Sequence, residues 1–312
     1  MKTYSEQTKG AWYAATAYLI WGVLPLYWKP LDQAGSGEIL AHRIFWSFVL
    51  MLAVMFILKR SKDLKRDLKI LFSSKKQLFS VFIASILISG NWLMYIWAVN
   101  NDHVLEASLG YYINPLVNVI LGMAVLKEKL NSWQLVSFVI AACGVFLLTW
   151  EYGKFPWIAL SLALSFGLYG LAKKRGSFDS LTGLTLETMF VVPAAFAYLV
   201  FLQWNGTGTF ITAGITTTVL LWGAGVVTAL PLVLFALGVK RITMTMTGFL
   251  QYIAPTLMLL LGVFLFHETF TGIHLVSFTL IWLALLIFTI SKTKWANYLI
   301  NRKNKNSLSA KI

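Results

Sequence analysis

Four ionisable side chains lie inside otherwise apolar sequence: His42 and Arg43 in EILAHRIFWS, Glu106 in VLEASLGYY and Glu187 in TLETMFVV. A charge in hydrocarbon costs ~2.5–3.5 kcal/mol or more, so each is a candidate for gating or proton coupling. Arg43 falls about 7.5 Å below Glu38, where its apolar stretch begins, at 1.5 Å rise per residue. Asp102, His103 and Glu106 open a later stretch at a similar depth. The expected arrangement is an Arg43–Glu106 ion pair, which neutralises both groups. That pair would either brace the structure or act as a gate or proton site, with His42 on a neighbouring face. Glu106 alone would also stabilise the start of its helix. Glu187, two turns into its stretch, has no partner in the local sequence and is a candidate proton carrier. Glu128 and Glu268 sit at turns and are expected to cap the helices that follow them. His267 and His274 are expected at an interface without a special role.

A second set of polar and aromatic residues suits binding better than proton transfer. Tyr111, Asn114 and Asn118 recur at i, i+3 and i+7, which is one helical face, with Tyr112 beside them. Pro115 interrupts the backbone ladder there. Gln251, Tyr252 and Pro255 occupy the corresponding stretch of the second half, Asn91 and Tyr95 form another stripe, and Trp21 marks the middle of the first apolar stretch. Aromatic walls and a few amides suit a flat or amphipathic solute. The same residues would serve equally to knit helices together. Pro25, Pro193 and Pro231 are expected to bend their helices.

The elements that must position these groups follow from composition. Of 312 residues, 58% are apolar and 12% charged, against about 25% charged in a soluble domain. That excludes a water-soluble enzyme, a disordered chain and a disulfide scaffold; one cysteine, Cys143, excludes an internal disulfide. Ten stretches reach the ~20 apolar residues a crossing helix needs: roughly 10–28, 38–58, 77–99, 105–126, 133–150, 156–173, 180–203, 215–239, 244–266 and 272–291. The expected fold is an all-α integral membrane protein. The longest polar stretches are a loop at 59–76 and the tail after Ile290.

With the first residues inside, 23 of the 26 Lys and Arg fall in inner segments, and two, Lys29 and Lys154, in outer loops. The net charge of +14 is therefore topology under the positive-inside rule, attracting anionic lipid and not nucleic acid. Both ends of the chain are expected on the cytoplasmic side.

The halves repeat. Residues 112–138 and 252–278 are identical at ten of 27 positions, including Tyr112/Tyr252, Pro115/Pro255, Gly122/Gly262, Glu128/Glu268 and two LVSF tetrads. Gly22 and Gly167 correspond near the start of each half. Five spans per half is odd, so residues 151–312 are expected upside down relative to residues 1–150. Inverted repeats are a recurrent architecture of secondary transporters, with the solute between them.

The strings YLIWGVLPLYWKPL (18–31), EILAHRIFWS (38–47) and GNWLMYIWAVNNDHVLEASLGYYINPLVNVILG (90–122) resemble the RarD branch of the EamA group, in the drug/metabolite transporter superfamily. The resemblance implies a ten-helix permease of the bacterial inner membrane for small organic solutes, often described as chloramphenicol-permease-like. Catalytic, metal and cofactor motifs such as HExxH, CxxC, GxSxG or a phosphate-cradling glycine loop do not occur. The competing expectations are a membrane-embedded enzyme, which only the Asp102/His103/Glu106 group could support, and a sensor or scaffold without transport.

Overall fold

The structure, a computed structural model, describes residues 5–101, 103–265 and 270–291. Asp102, His267, Glu268 and the basic tail after Ser291 lie outside the described residues. The described chain is helical throughout: α1 (Glu6–Val23), α2 (Pro25–Trp28), a 3-10 turn (Lys29–Leu31), α3 (Ser36–Ile57), α4 (Ser61–Ser73), α5 (Lys75–Asn100), α6 (Val104–Leu126), α7 (Ser132–Tyr152), α8 (Trp157–Arg175), α9 (Ser180–Trp204), α10 (Ile215–Val239), α11 (Met244–Gln251), α12 (Ile253–Phe264) and α13 (Gly272–Ser291).

Eight helical segments among them are long and apolar enough to cross a membrane, counting α11 and α12 as one. Helices α1 and α8, expected as the first and sixth spans, fall short of that standard. Helix α1 begins on Glu6 and Lys9, and α8 ends on Lys173, Lys174 and Arg175. Large apolar side chains such as Phe56, Trp150, Trp204 and Phe264 remain exposed around the bundle. In water that surface would be unsupportable; in a bilayer it meets lipid. This is a multi-pass membrane protein.

Local chemistry sets the helix ends. The Asn131 side chain accepts from Gln134 N–H while Gln134 returns a bond to Asn131 N–H, a capping box that starts α7. Asp179 caps α9 and Thr243 caps α11. Pro25 starts α2 instead of bending α1. Pro115, Pro193 and Pro231 are carried inside continuous helices. The expected ninth span is broken at Tyr252, three residues before Pro255, into α11 and α12.

The 59–76 stretch is not a loop but contains α4, with Leu64, Leu68 and Leu71 packed on Val81, Phe178 and Leu186. Arg60, just before α4, bonds Asp63 at 3.0 Å and Asp179 at 2.9 Å. Burial pushes the Asp179 carboxyl up, but the hydrogen bonds from Arg60 and Leu181 N–H outweigh it and hold it below the usual carboxylate range.

The principal helix contacts are α7 with α13, α3 with α9, α6 with α11, α6 with α8, α1 with α12, α1 with α10, α5 with α8, α3 with α10 and α5 with α9. Small residues permit the closest of them. A Cβ on Gly225 would lie 2.5 Å from the Trp46 carbonyl carbon across α10 and α3. One on Gly22 would lie 2.8 Å from Leu257 in α12, and one on Gly167 2.8 Å from Val117 in α6.

Candidate functional site

Between α1, α5, α6, α8 and the α11–α12 break lies a cavity of about 500 Å³. Its walls are aromatic: Trp21 from α1, Trp28 from α2, Trp92 and Tyr95 from α5, Tyr111 from α6 and Phe166 from α8. It reaches exposed Lys29 and Asp32 at one end of the bundle. At its deep end the polar groups are amides held by a ladder. Asn114 Nδ2 donates to Ala163 O at 2.6 Å. Asn118 Nδ2 donates to Asn114 Oδ1 at 3.1 Å and to Gln251 Oε1 at 2.6 Å. Asn91 Nδ2 donates to Leu162 O and Ser165 Oγ, both at 2.9 Å. These bonds tie α5, α6, α8 and α11 together around the cavity and fix each amide's orientation.

Beneath the amides an aromatic layer closes the bundle. Trp21 meets Phe166 at 5.7 Å, Tyr18 meets Phe235 at 6.1 Å, and Tyr169 stacks on Phe235 at 6.2 Å between ring centroids. Below it Glu187 accepts from Lys173 Nζ at 2.8 Å and from Tyr169 Oη at 3.2 Å. Glu187 therefore has partners that its local sequence does not offer, because Tyr169 and Lys173 of α8 reach across to it. Lys173 and Glu187 are buried, with side chains 5% and 6% exposed.

Arg43 projects into the upper cavity. Its guanidinium carbon lies 5.0 Å from the Trp28 ring centroid and 4.7 Å from that of Trp92, and Nε donates to Thr228 Oγ1 at 3.1 Å. The expected Arg43–Glu106 ion pair is not formed. Glu106 turns instead to the start of α8, accepting from Ile158 N–H at 2.7 Å and from Tyr152 Oη at 2.8 Å, with His103 Nδ1 4.0 Å away. A helix N-terminus presents bare N–H groups to a carboxylate, and that site lay closer than the arginine.

Of the expected binding residues, Trp21, Asn91, Tyr95, Tyr111, Asn114 and Gln251 line the cavity. Asn118 stands behind the wall as the link of the amide ladder. Tyr112 faces α13, packed edge-on against Phe278 at 5.3 Å. Tyr252 is buried in the cluster with Phe249 and Phe288. His42 belongs to a different arrangement: Trp46 Nε1 donates to its Nδ1 at 3.1 Å, and its ring lies 4.6 Å from Phe210. Glu38, one turn before it, accepts from Thr209 N–H at 2.7 Å and Phe210 N–H at 3.1 Å. Sequence reasoning missed Trp28, Trp92 and Thr228. Trp92 precedes Tyr95 by three residues and so shares its face, a usable signal. Thr228 carried none.

Glu128 caps a helix, but not the one that follows it. It accepts from Met244 N–H at 2.7 Å, Thr245 N–H at 2.9 Å and Thr245 Oγ1 at 2.7 Å, holding the start of α11 against α6. Glu128→Ala removes three bonds at one helix N-terminus, and at ~1 kcal/mol or more each the expected loss is about 3 kcal/mol. Thermal unfolding of the detergent-solubilised protein checks it; an unchanged midpoint would mean solvent replaces the carboxylate at no cost.

The family model described as the EamA-like transporter family matches residues 8–150. The uncharacterized transporter YojE of Bacillus subtilis is 52% identical over 94% of this chain and 97% of its own length. Protein RarD of Escherichia coli is 41% identical over 92% of this chain and 96% of its own length. The chain belongs to the RarD-like branch of the EamA family. A solved crystal structure of a protein 18% identical to it matches with a TM-score of 0.69, over 92% of this chain and 99% of that one, so the two share a fold across both halves of this chain. The protein is accordingly a membrane transporter of the drug/metabolite class.

Proposed function

We propose that this protein is a secondary transporter of small organic solutes, built as two inverted five-helix repeats over residues 1–150 and 151–312. Helices α1 and α8 complete ten spans, with both chain ends on the cytoplasmic side of a bacterial inner membrane. The observation that carries the reading is the cavity of about 500 Å³, reaching the bundle end at Lys29 and Asp32 and sealed at the other by aromatic rings and the Lys173–Glu187 pair.

The contacts support the repeat. Exchanging the halves turns α6–α8 into α1–α12, α1–α10 into α5–α8 and α3–α10 into α5–α9, and returns α7–α13, α3–α9 and α6–α11 to themselves. The matched glycines Gly22 and Gly167 touch Leu257 and Val117, which are themselves 140 residues apart. In this reading the structure is the outward-open state, and rocking one repeat against the other opens the Lys173–Glu187 end. The solute binds among Trp21, Asn91, Tyr95, Tyr111, Asn114 and Gln251. Asn118, Tyr112 and Tyr252 act on it through the helices they position. Glu106 and His42 brace the outer end, and Glu187 forms the inner closure. Because Glu106 and Glu187 are committed to hydrogen bonds away from the cavity, the solute's own gradient is the favoured drive, ahead of a carried proton.

The test is mass spectrometry of medium and cytosol from cells lacking or overproducing the protein, with and without protonophore and with chloramphenicol among the added solutes. A solute that moves into the medium with expression supports the reading. An expression-dependent chemical conversion would point to an enzyme, and no change in any solute would favour the sensor or scaffold.

A further inference from the structure

Among the described residues, the charged side chains lining the cavity are Lys29 and Asp32 at the mouth and Arg43 inside. The mouth pair is of opposite sign, so among the described residues the lining has one net positive charge, and that charge is held in an unusual way. A guanidinium drawn into a low-dielectric bundle is ordinarily matched by a carboxylate. Among the described residues Arg43 has no carboxylate partner: it lies between two indole faces, and only its Nε is bound, to Thr228 Oγ1 at 3.1 Å. The phenols of Tyr111 and Tyr95 share the cavity wall with it. The two terminal nitrogens, with the fork geometry that suits a planar two-oxygen anion, are thus left without a hydrogen-bond acceptor among the described residues. Around them stand Trp28, Trp92, Tyr95 and Tyr111, faces on which a flat ring stacks.

Resting on the transporter reading, we infer that the solute is a planar organic monocarboxylate whose carboxylate seats on Arg43 Nη1 and Nη2 while its ring lies against the aromatic wall. Thr228 is a positioning residue: through Nε it sets the direction in which the fork points. The two indoles hold the cation in place while the cavity is empty, and the anion completes its neutralisation.

The experiment uses full-length protein in nanodiscs and three probe pairs of near-equal shape: benzoate and benzamide, phenylacetate and phenylacetamide, indole-3-acetate and indole-3-acetamide. Binding is read by quenching of tryptophan fluorescence, since Trp21, Trp28 and Trp92 line the cavity. At least one carboxylate is expected to bind ten-fold or more tighter than its amide, in line with the strength of charge-assisted bonds. Arg43→Gln should erase that preference, lowering carboxylate affinity roughly 30-fold while moving amide affinity by less than about three-fold. Arg43→Lys, which keeps the charge and loses the fork, should fall between. If Arg43→Gln does not fold, Thr228→Val gives the second reading: a drop in the carboxylate-to-amide ratio, which a merely structural loss would leave unchanged. Equal affinity within all three pairs, no binding of any carboxylate, or a preference that survives Arg43→Gln overturns the inference. Vesicle flux of the same probes separates it from the transport reading. Carboxylate binding without flux would sink transport alone, and flux of amides as fast as carboxylates would sink the anion site alone.

Discussion

Lys173→Met is expected to cost the protein ~3–5 kcal/mol, the penalty for leaving one member of a buried ion pair alone. Glu187 would keep only the Tyr169 hydroxyl at 3.2 Å, in a place where its side chain is 6% exposed. Most of the protein should then be lost from the membrane. Replacing both partners with apolar residues of similar size, Lys173→Met with Glu187→Leu, removes the stranded charge and should recover most of the stability. The double variant isolates what the pair does for function. If it latches the closed end, the variant folds but spends more time open there. The native cysteine, exposed Cys143, is first removed as Cys143→Ser, and Ala84→Cys then places a reporter in the small cleft beside Lys173 and Glu187. Ala84 is 4% exposed, so a membrane-impermeant maleimide should label it slowly in the parent. A latch loss of ~1.4 kcal/mol or more raises the labelling rate about ten-fold. Equal labelling in both would make the pair a packing device with no part in opening.

How much of this was legible in the sequence depends on what each feature needs. Hydropathy locates spans because each crossing helix must satisfy its own backbone and present apolar side chains, a local requirement. The repeat is local too, in the sense that Pro115 and Pro255 are matched by alignment alone. Even so, α4 was hidden: Leu64, Leu68 and Leu71 follow a helical spacing, but surrounding lysines and arginines made the stretch read as loop. Partner choice was the least legible. Arg43 and Glu106 have opposite charge and similar depth, yet Glu106 found the bare N–H of Ile158, and Lys173, counted only as topological charge, found Glu187. Which helix neighbours which is decided by packing across the whole bundle, and no residue spacing encodes it. Within the cavity, the face Tyr111, Asn114 was readable from periodicity, whereas Thr228 on α10 is tied to Arg43 only by the fold.

The second large effect expected is a response to membrane potential. If the solute is an anion seated on Arg43, and the buried carboxylates Glu106 and Glu187 are occupied by hydrogen bonds, each transport cycle carries one net negative charge. Moving one charge across 100 mV is worth ~2.3 kcal/mol, and each 1.4 kcal/mol is a factor of ten, so the solute should distribute about 40- to 50-fold toward the positive side. An inside-negative cell would then expel such an anion with no coupling ion. Proteoliposomes with a valinomycin-clamped potassium gradient measure this directly, using labelled phenylacetate and protein-free vesicles for the leak. Reversing the gradient should reverse the direction of accumulation. Arg43→Gln should lose the carboxylate flux, since the charge that admits the anion is gone. A distribution that ignored valinomycin and followed an imposed pH difference would mean that a proton travels with the solute. In that case Asp32 at the mouth is, among the described residues, the carboxylate already in the cavity wall, and Asp32→Asn tests whether it hands the proton on: transport stops if it does and continues if the solute carries the proton itself.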